Sequence, residues 1–170
     1  MGFSSCMNGD YDADPKTANT AANPLANDDN NGGGTNVGVA QKGQIRCLVN
    51  GQAVVINGAG YSDIVGRQIS GSRRDGTVEK AVAFTLNPYN GAGTYSLGGS
   101  TNTNAGSYSY TDFSVDPAGT TYSTVDDKAT GELVITSDAN DVVIGTFHFE
   151  GYDQDQKAVV TSGTFNVPKR

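Results

Sequence analysis

Tryptophan is absent from this chain, and histidine occurs once, as His148. A catalytic histidine needs a nucleophile or an acidic partner held beside it, and clustered metal ligands usually include several His or Cys. Cysteine is also scarce: Cys6 and Cys47 are the two in 170 residues. A disulfide scaffold carries more, in a shorter chain. No apolar run approaches the roughly 18 residues of a membrane-spanning helix, and no segment sustains a helical period. Positive charge is short, with 11 Lys and Arg against 18 Asp and Glu, a net charge of −7 and a pI near 4.4. Such a surface repels phosphate backbones and speaks against nucleic acid as a partner. It also speaks against docking on an anionic membrane by charge alone.

What is abundant is glycine, 23 residues, together with Ser, Thr, Asn and eight tyrosines. This composition favours short strands and many turns. From Met7 to Gly43 the chain is polar, and between Thr17 and Gly34 Leu25 is the only large apolar residue. Such a stretch buries too little apolar surface to offset its ordering entropy. The sequence therefore divides into an N-terminal part with a flexible polar tether, residues 1–43, and a β-domain, residues 44–170. A coil of the length that follows Cys6 spans roughly 30–35 Å.

Within the domain, period-two runs alternate with turns. Ile45–Val49 and Gln52–Ile56 flank Asn50-Gly51, a strong hairpin signal. Further strands are predicted at Gln68–Arg73, Val78–Leu86, Gly93–Leu97, Ala105–Tyr110, Thr121–Val125, Gly131–Thr136, Val142–Tyr152 and Ala158–Val167. The fold class is all-β: an antiparallel sandwich or barrel of about ten short strands behind a flexible tether. The expected core includes Val49, Val82, Phe84, Leu86, Leu133, Ile135, Phe147, Phe149, Phe165 and Val167. Gly-Thr-Phe occurs twice, at 145–147 and 163–165, with glycine and phenylalanine on one face. A ring lying over each glycine would explain the pattern. Val37-Gly38-Val39-Ala40, just ahead of the domain, has the character of a further strand.

Cys6 follows Phe3-Ser4-Ser5. A bulky apolar residue, two small ones and a cysteine resemble a lipobox, in which the cysteine is acylated. Phe3 stands where leucine is usual, and only five residues precede Cys6. The tether places Cys6 as the lipid attachment site and a membrane as its partner. Asp10, Asp12 and Asp14 follow at the spacing that opens a calcium loop, but Pro15 stands where glycine is required. Cys47 alternates with Ile45 and Val49 and is expected to be a buried thiol.

No residue pattern selects a catalytic, cofactor or metal site. His148 lies between Phe147 and Phe149 and is expected to face outward, on the face it shares with Glu150. Asp138 and Asp141, like Asp153 and Asp155, sit where turns form. Tyr89, Tyr95, Tyr108, Tyr110 and Tyr122 could serve a glycan- or protein-binding face or could simply be strand residues.

Val49-Asn50-Gly51, Gly93-Thr94-Tyr95, Gly131-x-Leu133-x-Ile135-Thr136 and the two Gly-Thr-Phe segments resemble a family of small Bacteroidota lipoproteins of unknown function, over Gln44–Val167. The resemblance implies an all-β lipoprotein of the bacterial outer membrane or cell surface, on its extracellular face or in the periplasm, without catalytic residues. The leading expectation is a non-enzymatic, surface-displayed domain that binds or scaffolds, with no cofactor. The alternative is a structural subunit of an extracellular fibre assembled by β-strand exchange, with Val37–Ala40 or Ala158–Val167 as the exchanged strand.

Overall fold

The computed structural model describes residues 37–170; Cys6 and Asp10, Asp12 and Asp14 lie outside the described residues. Eleven strands follow in order: β1 Gln44–Val49, β2 Gln52–Asn57, β3 Gly60–Ser62, β4 Arg67–Asp75, β5 Val78–Leu86, β6 Gly93–Leu97, β7 Ala105–Asp112, β8 Asp116–Ser123, β9 Thr130–Ala139, β10 Val142–Asp153 and β11 Gln156–Pro168. All their pairings are antiparallel.

The strands form two layers. One runs β2-β1-β11-β10-β9-β6, the other β3-β4-β5-β7-β8. The layers are stitched where Tyr152 of β10 pairs Ser123 of β8, and again where Tyr61 of β3 bridges Lys169 in parallel. The result is a sandwich with barrel-like seams.

Alternation decides what faces the space between the layers. In β5, Val82, Phe84 and Leu86 are buried, and in β10 so are Val143, Phe147 and Phe149. The Phe84 ring meets Phe147 edge-on at 4.8 Å and Phe149 at 6.0 Å, across the two layers. Burying each such ring contributes on the order of 1.5–3 kcal/mol. Every residue of the expected core is buried, and Phe147 retains 3% of its surface.

Turn chemistry sets the hairpins. Asn50 and Gly51, between β1 and β2, both have positive φ, as do Asn140 and Asp141 between β9 and β10. That pairing suits the right-handed twist of a two-residue hairpin.

Three expectations change. A short strand, β3, was not anticipated: its three residues carry no period. The strand placed at Thr121–Val125 is β8, which begins earlier, at Asp116, through a turn-like Asp116-Pro117-Ala118-Gly119. Asp112↔Asp116 pairing with β7 draws that segment into the sheet, while Thr124 and Val125 lie past its end. Val37–Ala40 is not a strand. Gly38 is at φ +66°, which breaks an extended run, and the segment lies on the sheet's outer face.

Candidate functional site

The outer face of β10 and β11 carries a groove. In β10, Thr146 and His148 point outward because Phe147 and Phe149 point in. Opposite them β11 contains a bulge. Phe147 pairs Gly163 but Phe149 pairs Val160, so β11 carries one more residue than β10 there, with Ser162 at φ +52°. A bulge bends its strand and re-aims side chains. Above it, residues 37–41 fold back over β1 and β11 as a strap. The Ala40 amide donates to Thr164 Oγ1 at 3.0 Å, and Arg46 Nη1 donates to the Val37 carbonyl at 2.9 Å. Strap and bulge enclose an open groove of about 520 Å³, with Val37 and Val39 on one wall and Thr146, His148, Ser162 and Thr164 on the others.

The groove offers hydroxyls, one imidazole and an apolar wall. His148 is exposed, as expected from its alternation. Glu150, its neighbour on that face, receives a hydrogen bond from Lys157 Nζ at 3.2 Å, so its carboxylate is engaged elsewhere. The arrangement suits binding by contact and hydrogen bonding.

Asp155 pairs with Lys128 Nζ at 3.5 Å, and Asp141 stands in the β9–β10 turn. The described residues contain no group of three His, Cys, Asp or Glu placed to hold a metal ion. Asp112 and Asp127 are held below the usual carboxylate range by hydrogen bonds from Ser114 and Ser100 respectively, side chain first and backbone second. The first is a local turn contact, while the second joins the loop after β6 to the loop before β9. Cys47 is a free, buried thiol.

The tyrosines do not form an open platform. Tyr95, Tyr108, Tyr110 and Tyr122 are buried. Tyr89 packs at the core's margin, with both ring faces occupied. Tyr95 stacks on it at 5.8 Å and 9°, and the Arg67 guanidinium lies 4.1 Å from its centroid. The same guanidinium lies 4.1 Å from Tyr61. Arg67 Nε reaches Asp63 at 2.6 Å and Nη1 reaches Asp138 at 3.4 Å, while Tyr89 Oη donates to Asp138 at 2.7 Å.

This cluster ties the β3–β4 loop, the β5–β6 loop and the end of β9 at one end of the sandwich. Burial works against the charge on Arg67, but Tyr89, Asp63 and Asp138 outweigh it and hold the guanidinium above its ordinary value. Burial and the bond to Asp138 lift the Tyr89 phenol well above its ordinary range. Sequence reasoning did not single out Arg67. Its partners lie at 61, 63, 89 and 138, at spacings that no periodic or motif signal connects.

The fold is a two-layer antiparallel sandwich with an outer-face groove beside a bulged central hairpin. The chain belongs to the family described as a domain of unknown function, DUF6252, whose model matches residues 62–168. That span begins in β3 and ends with β11, leaving the strap, β1 and β2 outside it. No curated protein and no solved structure matches the chain.

Proposed function

We propose that this protein is a non-enzymatic lipoprotein of the bacterial outer membrane or cell surface, of the Bacteroidota type. It is anchored through acyl chains on Cys6 and displays its sandwich as a binding or scaffolding module. The observation that carries this reading is the separation of the two parts. The described core runs from Ile45 to Val167, and the strap enters it along an outer face. Cys6 lies about thirty residues further up a polar stretch. Two or three acyl chains on one cysteine anchor stably, at about 0.8 kcal/mol per buried methylene. The groove beside His148 is the surface through which the module binds a glycan or protein.

Intact mass measurement on the native protein tests the anchor. A Cys6 carrying acyl chains, and release of the Cys6→Ser variant from membranes, is the expected outcome. An unmodified Cys6 in membrane fractions would sink the proposal.

Fibre assembly by strand exchange finds less support. Ala158–Val167 lies inside β11, which is paired on both sides by β1 and β10. Val37–Ala40 lies across a sheet face, where it cannot extend an edge. The outer edge of β6 is blunted as well, since Asn102 Nδ2 caps the Ser96 carbonyl at 2.8 Å.

A further inference from the structure

Asparagine followed by glycine carries a latent reaction. The glycine amide nitrogen can reach the asparagine side-chain carbonyl because glycine has no side chain to crowd the approach. Among the described residues the pair occurs three times, as Asn50-Gly51, Asn57-Gly58 and Asn90-Gly91. The fold holds the three differently.

Asn50 is pinned at two points by one residue of β11. Its amide donates to the Val159 carbonyl at 2.8 Å, and its Oδ1 accepts from the Val159 amide at 2.8 Å. Asn57 ends β2 and pairs Gln44 in the ladder. Its Oδ1 accepts from Gln44 Nε2 at 2.8 Å, and the Gly58 carbonyl accepts from Arg170 Nη2 at 2.8 Å. In both pairs the carbonyl that would be attacked is already held by a donor. Asn90 is exposed and lies between β5 and β6, outside any strand. What holds it is the Tyr95 hydroxyl, which accepts from the Asn90 amide at 3.0 Å and donates to the Gly91 carbonyl at 2.6 Å. That brace spans the two ends of the dipeptide and leaves the reacting side chain out. Gly91 sits at φ +86°, and a Cβ there would meet nothing within 4 Å, so the attacking amide faces open space.

We propose that Asn90 is a self-modification site, converted by solvent to aspartate and isoaspartate, and that the Tyr95 hydroxyl restrains the conversion. The Gly91 nitrogen gives its proton to hydroxide and bonds to Asn90 Cγ. The bond from Cγ to the side-chain nitrogen breaks, and ammonia leaves. Water then opens the five-membered imide. Cleavage at Cγ gives aspartate; cleavage at the main-chain carbonyl gives isoaspartate, whose main chain is one carbon longer. The Tyr95 hydroxyl then no longer spans the two positions it bridges, and the stack of Tyr95 on Tyr89 loses its brace. The β5–β6 loop, one corner of the Arg67 cluster, loosens as the protein ages. The reaction needs neither a lipid anchor nor an occupied groove.

Peptide mapping by mass spectrometry, on the full chain aged in warm, mildly alkaline buffer, tests it by reading amide against carboxylate at each site. Asn90 is expected to convert at least about tenfold faster than Asn50 or Asn57, each of which must first give up a side-chain hydrogen bond. In urea the three should convert at similar rates. Tyr95→Phe should speed Asn90 by about threefold and leave the other two unchanged. A native ranking no different from that in urea would overturn the site. An Asn90 rate in Tyr95→Phe equal to that of the wild type would overturn the role of the hydroxyl. The wild-type ranking decides the site even if Tyr95→Phe fails to fold.

Discussion

At the scale of single residues, burial sets the chemistry. Cys47 lies fully inside β1, and burial pushes its thiol up to about 12 from an ordinary 9.0. The folded chain keeps the proton where the unfolded chain loses it. Stability from this residue is therefore whole below pH 9 and is lost as pH rises from about 9 towards 12. Urea midpoints of the wild type and Cys47→Ala, taken across that interval, should converge as pH rises. Midpoints that keep a constant separation would show that the thiol ionises alike in both states. Native Cys47 should also resist alkylation at pH 8, since the thiolate is the nucleophile. Its burial was legible in the sequence because Cys47 alternates with Ile45 and Val49. The place of Arg67 was not. A lone arginine at a strand start reads as solvated, and only the approach of Tyr61 from β3 and Tyr89 from the β5–β6 loop makes it a buried one.

At the scale of elements, the β10–β11 hairpin explains the repeated Gly-Thr-Phe. Gly145 pairs Phe165 and Gly163 pairs Phe147, so each glycine faces the other copy's phenylalanine. A Cβ on Gly163 would come 2.5 Å from the Phe147 ring, and one on Gly145 would come 2.5 Å from Phe165 Cζ. Each ring lies over the glycine opposite, which shields its bare backbone. Phe147→Ala removes one ring of the pair together with its contact to Phe84. It should cost about 3–5 kcal/mol in urea unfolding. Gly163→Ala should also destabilise, by about 1–3 kcal/mol, because the ring must shift. A Phe147→Ala loss below about 1 kcal/mol would mean that the ring is not a core element. The alternation and the hairpin turns were readable residue by residue. β8 was harder, because Pro117 and Gly119 signal a turn and only pairing to β7 makes a strand of them. The strap was harder still: Val37-Gly38-Val39-Ala40 has strand composition, and its face-on docking depends on Arg46 and Thr164, the latter more than a hundred residues away.

At the scale of the whole molecule, the two layers are held by the central rings and by ties at their ends. Arg67 is the tie that joins β3, the β3–β4 loop, the β5–β6 loop and the end of β9. Arg67→Lys keeps the charge but loses the planar group that lies against both Tyr61 and Tyr89 and reaches both Asp63 and Asp138. It should destabilise by about 1–3 kcal/mol, with faster proteolysis in the β3–β4 and β5–β6 loops and no change in His148 exposure. A neutral result would mean that the cluster contributes nothing a mobile cation cannot replace. One feature of the topology also orders events in time. β11 fills the gap between β1 and β10, yet β1 ends at Val49 and β11 starts at Gln156. At ribosomal speeds of about 5–20 residues per second, roughly 5–20 s separate the synthesis of the two. Throughout that interval the first hairpin waits with its inner edge unfilled. The layer that holds β1 and β10 therefore closes only when the last strand of the chain is made.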